Sequence, residues 1–150
     1  MNARERLQKN LVLLRNCAGW TASDFGRKLG VSRQTVGTFE KSGNKLSVMQ
    51  YLAIHKVFDD EIDGSEDPED CMLRILMDSL VDHPDRYPDC VRDEIRINAG
   101  LFAPSIMKKP QDRSRVSKAW AALLDASGIR YRRDLSPKHT EPLNGDSDSE

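Results

Sequence analysis

No apolar run in the sequence is long enough to span a membrane, and no two cysteines stand close enough to suggest a clip or a metal knuckle. Cys17, Cys71 and Cys90 are odd in number and far apart, without a Cys-x-x-Cys pair. That pattern argues against a disulfide framework or zinc site, and for reduced, mostly buried thiols in a cytoplasmic protein. The opening Met1-Asn2-Ala3-Arg4 leads into a charged helix rather than a signal sequence. A glycine-rich phosphate loop and a Ser/His/Asp constellation are both missing. His83 and His139 fall in a turn and a tail, and the acidic residues form open runs rather than an isolated pair in an apolar pocket. These absences speak against an enzyme and leave no catalytic residue, metal or cofactor to assign. No internal repeat is visible.

Strong net charge is also lacking: the balance over 150 residues is −1. The distribution is uneven, however. Residues 1–56 carry ten Lys/Arg against three Asp/Glu, and residues 57–94 carry three against fourteen. Residues 95–133 return to nine against two, and residues 134–150 hold one against five. A basic first block suits a polyanion, because neutralising phosphates releases counterions; the acidic block after it has a different role.

The basic block contains the stretch on which the reading turns, Thr21 to Lys41, TASDFGRKLGVSRQTVGTFEK. Thr21 can cap a helix, with Asp24 closing a capping box three residues on. Phe25 and Leu29 share one face, Gly26 lets a second helix approach, and Gly30 suits a left-handed stop. Ser32 is a second cap, and Val36 and Phe39 give a second short helix its buried side. Two short helices on a tight turn form the geometry in which the second enters a major groove.

With Gly26, Gly30 and Val36 in place, and Ser32-Arg33-Gln34 opening the second helix, residues from about Arg4 to Ile62 resemble the Cro/C1-type (lambda-repressor-like, XRE) helix-turn-helix family. The resemblance implies a DNA-binding transcriptional regulator with helix 33–41 as its recognition helix. One position departs from it: Ala22 stands where such proteins often place a phosphate-binding glutamine. Backbone contacts then fall to Thr21, Arg27, Ser32, Lys41, Asn44 and Lys45. Arg33, Gln34 and Thr38 hold the groove-facing places, where Arg matches guanine, Gln adenine, and the Thr methyl thymine. Repressors of this family can bury an arginine–glutamate pair, which here implies that Arg15 meets Glu40.

Along the rest of the chain, Leu7, Leu11 and Leu14 mark a first helix from Arg4 to Cys17, ended by Gly19, and Trp20 reads as a lid on the core. Ser47 caps a helix carrying Val48, Tyr51, Leu52, His55, Phe58 and Ile62 to Asp63, with Gly64 stopping it. His55 reads as a satisfied, half-buried histidine with no acidic neighbour at ligand spacing. The acidic stretch 59–70 is the expected domain boundary, with Asp67 and Pro68 opening the next helix. From Asp70 to Val81, eight of twelve residues are apolar, so this helix is a domain centre or a dimer contact. A helix from Asp89 to Ala99 ends at Gly100, Leu101 to Met107 forms a connector held non-helical by Pro104, and a last helix runs from Ser114 to Ser127. That last helix carries Val116, Ala119, Trp120, Leu123 and Leu124 on one stripe, with Gly128-Ile129 as a Schellman stop. Arg130-Tyr131-Arg132-Arg133 is a basic segment, either a phosphate contact or a tail.

The expectation is therefore an all-α chain. Residues 1–64 form a lambda-repressor-like domain of four or five helices, 65–133 a small helical dimerisation or partner domain, and 134–150 a disordered acidic tail. The function expected is a homodimeric repressor on double-stranded DNA, paired through Met72, Ile75, Leu76, Leu80, Trp120 and Leu124. The alternative is an antitoxin-like or phage-inhibitor-like protein that autoregulates its promoter and binds a protein partner through 65–133.

Overall fold

Side-chain caps set the ends of the helices in the first half. In the computed structural model, which describes residues 1–41, 43–67 and 70–129, Asn2, Thr21 and Ser47 each close a capping box, and Ser32 caps with its hydroxyl. The described residues are helical and contain no strand. The elements are α1 (Ala3–Lys9), α2 (Leu11–Ala18), α3 (Ala22–Leu29), α4 (Arg33–Glu40) and α5 (Val48–Asp63), then α6 (Met72–Leu76), α7 (Asp89–Lys108) and α8 (Arg113–Ala126). α6 runs directly into a π-helical segment, Met77–Asp82, and 3₁₀ turns at Pro84–Arg86 and Pro110–Asp112 lead into α7 and α8. The basic segment and acidic tail expected over residues 130–150, and the helix start expected at Pro68, lie outside the described residues.

The single first helix expected from the leucine spacing is in fact two. Asn10 breaks it, because its own side-chain amide donates to the Arg6 carbonyl at 2.9 Å and competes with the helical ladder. Leu7, Leu11 and Leu14 still share one fully buried face. Trp20 is the lid expected of it: 7% exposed, it stacks on Phe25 and Phe58 with centroids 5.9 and 5.3 Å away. Lys28 lies over its ring at 4.8 Å.

Every residue from Cys71 to Val81 is buried. This segment lies against α1, α2, α5 and α8, and one hydrophobic cluster runs from Ala3 to Leu124 across the stretch expected to divide the chain. Its helix begins at Met72 rather than near Asp67, with no side-chain cap. Arg113, 9% exposed, donates to Asp70 at 2.7 and 2.9 Å, to Glu61 at 3.1 Å and to the Ala18 carbonyl at 3.3 Å. Ser117 donates to Asp70 at 3.0 Å and accepts from the Met72 N–H at 2.9 Å. One guanidinium thus ties α8 to α2, α5 and the entry to α6. Burial acts to depress the Arg113 pKa, but Asp70 and Glu61 overcome it and raise it.

α7 also departs from expectation. It passes through Gly100 and Pro104 to Lys108, so the proposed connector is helix. A proline ring crowds the carbonyl four residues back and removes one ladder hydrogen bond, a local cost the helix bears here. Ala99, Ala103 and Ile106, all buried, hold the continuous helix on α2, its most extensive partner. α8 ends as read: Gly128 takes φ +75° and the Ile129 N–H reaches the Leu124 carbonyl at 3.0 Å. The α8 stripe is corrected in part, for Ala119 and Leu123 face solvent while Ala121 is buried.

His55 is buried outright rather than half-buried, and it has the carboxylate neighbours the sequence reading denied it. Its Nδ1 lies 3.1 Å from Asp59, one turn on, and its Nε2 lies 2.9 Å from Asp82 at the end of the π-helical segment. Burial acts to depress the His55 pKa, but Asp82 and Asp59 together raise it to about 10.

Two predictions follow from this packing. Because the folded His55 pKa lies above its unfolded value of 6.5, its contribution is complete below about pH 6.5. It is then lost as pH climbs toward 10, at up to about 1.4 kcal/mol per pH unit. Chemical denaturation at pH 7, 8 and 9 should show that slope, and His55→Gln should flatten it. Calorimetry of the whole chain should give one cooperative transition. A fragment ending at Gly64 should not melt cooperatively, since it loses the surface that covers Leu11, Leu14 and Cys17.

Candidate nucleic-acid interface

α3 and α4 are held together by glycine geometry. Gly30 ends α3 at φ +77°, a conformation costly for any residue with a Cβ. At Gly26 the constraint is space: an added methyl would stand 2.7 Å from the Val31 carbonyl oxygen, whose residue's N–H bonds the Gly26 carbonyl at 2.9 Å. The turn therefore folds onto α3 only with glycine at 26. Ser32 then accepts from the Thr35 N–H at 3.1 Å and starts α4. Val36 and Phe39 face the core, which turns Arg33, Gln34 and Thr38 outward, all three exposed. Gly37 beside them has nothing within 4 Å of where a Cβ would be.

The flanking candidates divide into engaged and exposed-only groups. Thr21 and Arg27, both exposed, are drawn to Asp24: the Thr21 N–H donates to its carboxylate at 2.9 Å, and Arg27 makes an ion pair with it. The Thr21 backbone and hydroxyl, then Arg27, hold the Asp24 carboxyl below its usual range. The Ser32 hydroxyl is occupied by its cap and by Thr35. Lys41, Asn44 and Lys45 project from the α4–α5 connection and are exposed. The acid nearest the end of α4, Glu40, is neutralised locally. Arg15 reaches it with Nε at 2.6 Å and a second nitrogen at 3.3 Å, both side chains nearly buried, and donates also to the Trp20 carbonyl at 3.0 Å. The structure thus brings Arg15 and Glu40 together in a two-pronged pair.

One residue of this region has no signal in the sequence. Gln8 of α1 donates its amide to the carbonyls of Phe39 at 2.8 Å, Lys41 at 3.3 Å and Asn44, and its oxygen accepts from the Leu46 N–H at 3.3 Å. A single side chain so fixes the whole connection that displays Lys41, Asn44 and Lys45. Its partners are backbone groups more than 30 residues away, which no local pattern reports. Cationic and amide side chains on a rigid, outward helix can hydrogen-bond phosphates and base edges. Among the described residues no group of His, Cys, Asp and Glu is arranged to hold a metal ion.

Met72, Ile75, Leu76, Leu80, Trp120 and Leu124, expected at a dimer contact, lie inside the chain's own core, none more than 6% exposed. The first four lie in the segment packed on α1, α2, α5 and α8, and Trp120 of α8 donates to Asn98 of α7 at 2.9 Å, so none offers a surface to a second copy. Their apolar excess, which suggested association, is absorbed by the N-terminal helices.

Removing one partner of the Arg15–Glu40 pair strands a nearly buried charge, a loss on the order of 3–5 kcal/mol. Glu40→Ala should lower the melting temperature far more than Asp60→Ala, which deletes an acid from an exposed one-turn pair with Lys56 worth about 0.3–0.5 kcal/mol. Thermal melts of the two variants side by side give the comparison. Compared with family models, with curated proteins and with solved structures, the chain matches none.

Proposed function

We propose that the protein is a sequence-specific DNA-binding regulator of transcription, a repressor in its simplest form, with α3 and α4 as a helix-turn-helix of the Cro/C1 type. The observation that carries the reading is the outer face of α4, where Arg33, Gln34 and Thr38 stand exposed together on a helix capped by Ser32. Their chemistry matches the donor and acceptor edges of a major groove. Lys41, Asn44 and Lys45 lie beside that face and suit phosphates, and the nearby carboxylates of Asp24 and Glu40 are already engaged. Gln8 and the Arg15–Glu40 pair support the reading from behind, because a recognition helix must be held rigid to discriminate bases. α4 is about two turns long and reaches few base pairs, so a specific site calls for two copies on two half-sites. On this reading the chain is a cytoplasmic binding protein and not a catalyst.

The test is selection from a random duplex library, followed by titration of the enriched site. Arg33→Ala should cost roughly 1–3 kcal/mol there and relax the preference at one base pair. Lys45→Ala should weaken all duplexes alike and lower the slope of log K against log salt by about one. An unselected library, or an Arg33→Ala protein with unchanged preference, would overturn the assignment of α4.

A further inference from the structure

With the expected contact residues buried, the outer surface of α7 becomes the place to look. Its inward face is Ile95, Ala99, Ala103 and Ile106. At about 100° per residue, Cys90, Glu94, Ile97, Leu101, Pro104 and Lys108 form a straight stripe on the opposite side, and all six are exposed. Its middle is apolar: Ile97 is 60% and Leu101 71% exposed, one turn apart. Beside it Leu123, 63% exposed, rims a largely apolar recess of about 330 Å³ between α7 and α8. The ends carry opposite charge. Exposed Asp89, Asp93 and Glu94 occupy the first turns, and exposed Lys108 and Lys109 the last. Arg92 and Arg96 project toward the other side of the helix. Arg92 is held there by the carbonyls of Pro84 and Tyr87 and by Asp89, and Arg96 by Asp93.

We infer that this stripe is a self-association surface, on which α7 pairs antiparallel with α7 of a second copy about a two-fold axis. A two-fold contact requires a surface complementary to itself, so each position must suit its mirror in the sequence. About a centre midway between Ile97 and Leu101, Ile97 meets the partner copy's leucine and Leu101 its isoleucine. The turn holding Cys90 then lies against the turn holding Lys108, which stands within reach of Glu94; Asp89 and Asp93 are engaged by Arg92 and Arg96 of their own chain. A parallel arrangement would set acid against acid and lysine against lysine. The charge pattern therefore selects a second copy, in one orientation. As the source of two reading heads the surface rests on the DNA-binding reading above, but pairing in free solution does not.

Sedimentation of the full chain without DNA is the test. The wild type should run as a dimer, and Leu101→Asp should weaken association by about tenfold or more while keeping the helical circular dichroism of the wild type, since within one chain the side chain faces solvent. Glu94→Lys and Lys108→Glu should each weaken it, and the two reversals combined should restore it. A monomeric wild type, a dimer indifferent to Leu101→Asp, or reversals that do not rescue each other would overturn the pairing; in the last case the apolar stripe serves a different protein. Titration of a single half-site separates the two readings. A monomeric Leu101→Asp protein that keeps half-site preference supports both, whereas a dimeric wild type with no sequence preference overturns the groove reading alone.

Discussion

The fold depends on giving eleven consecutive buried residues, Cys71 to Val81, enough apolar surface on every side. A helix wanted by the core all round cannot sit on the face of a small domain. It has to run through the middle, and the helices that enclose it come from both ends of the chain. α1, α2 and α5 cover it from one direction and α8 from another, while α7 closes over α2. Burying each leucine, isoleucine or methionine there contributes roughly 1.5–3 kcal/mol, and none of these helices could bury its own stripe without the others.

Several polar groups inside that core are paired between elements. Arg113 gathers Asp70, Glu61 and a carbonyl of α2, while His55 is held between Asp59 and Asp82. Asp78, 3% exposed in the π-helical segment, accepts from the Tyr87 hydroxyl at 2.6 Å, and burial pushes its carboxyl up. Such groups cost stability when unmatched, so each helps to set where its element can dock. The π-helical turn has a visible part in this arrangement, because it carries Asp78 toward Tyr87 and leaves Asp82 at its end facing His55.

The candidate interface is supported from the same core. α4 is anchored inward by Val36 and Phe39, at its start by the close approach at Gly26, and at its end by Gln8 and the Arg15–Glu40 pair. Its outward residues therefore stand on a helix fixed at both ends. That rigidity is a property of the whole assembly, since Gln8 and Arg15 belong to the helices that also enclose the central segment.

What the sequence by itself determined is local. Caps at Thr21, Ser32 and Ser47, left-handed stops at Gly19, Gly30 and Gly128, and helical spacing of apolar residues placed α3, α4, α5 and α8 to within about a residue or two, together with the outward place of Arg33, Gln34 and Thr38. These signals act within one or two turns, so they are legible in a short window. Only tertiary structure decided the rest. A proline inside a helix usually stops it, but the helix continued through Pro104 because its neighbours Ala99, Ala103 and Ile106 are buried in the core, where α7 packs on α2. An asparagine broke the first helix with its own amide. The surplus of apolar residues at 71–81 fits either a domain centre or a contact with a second chain, and the covering surface lies in α1, α2, α5 and α8 of the same chain. Composition reports how much must be buried; which surface buries it depends on contacts between residues far apart in the chain.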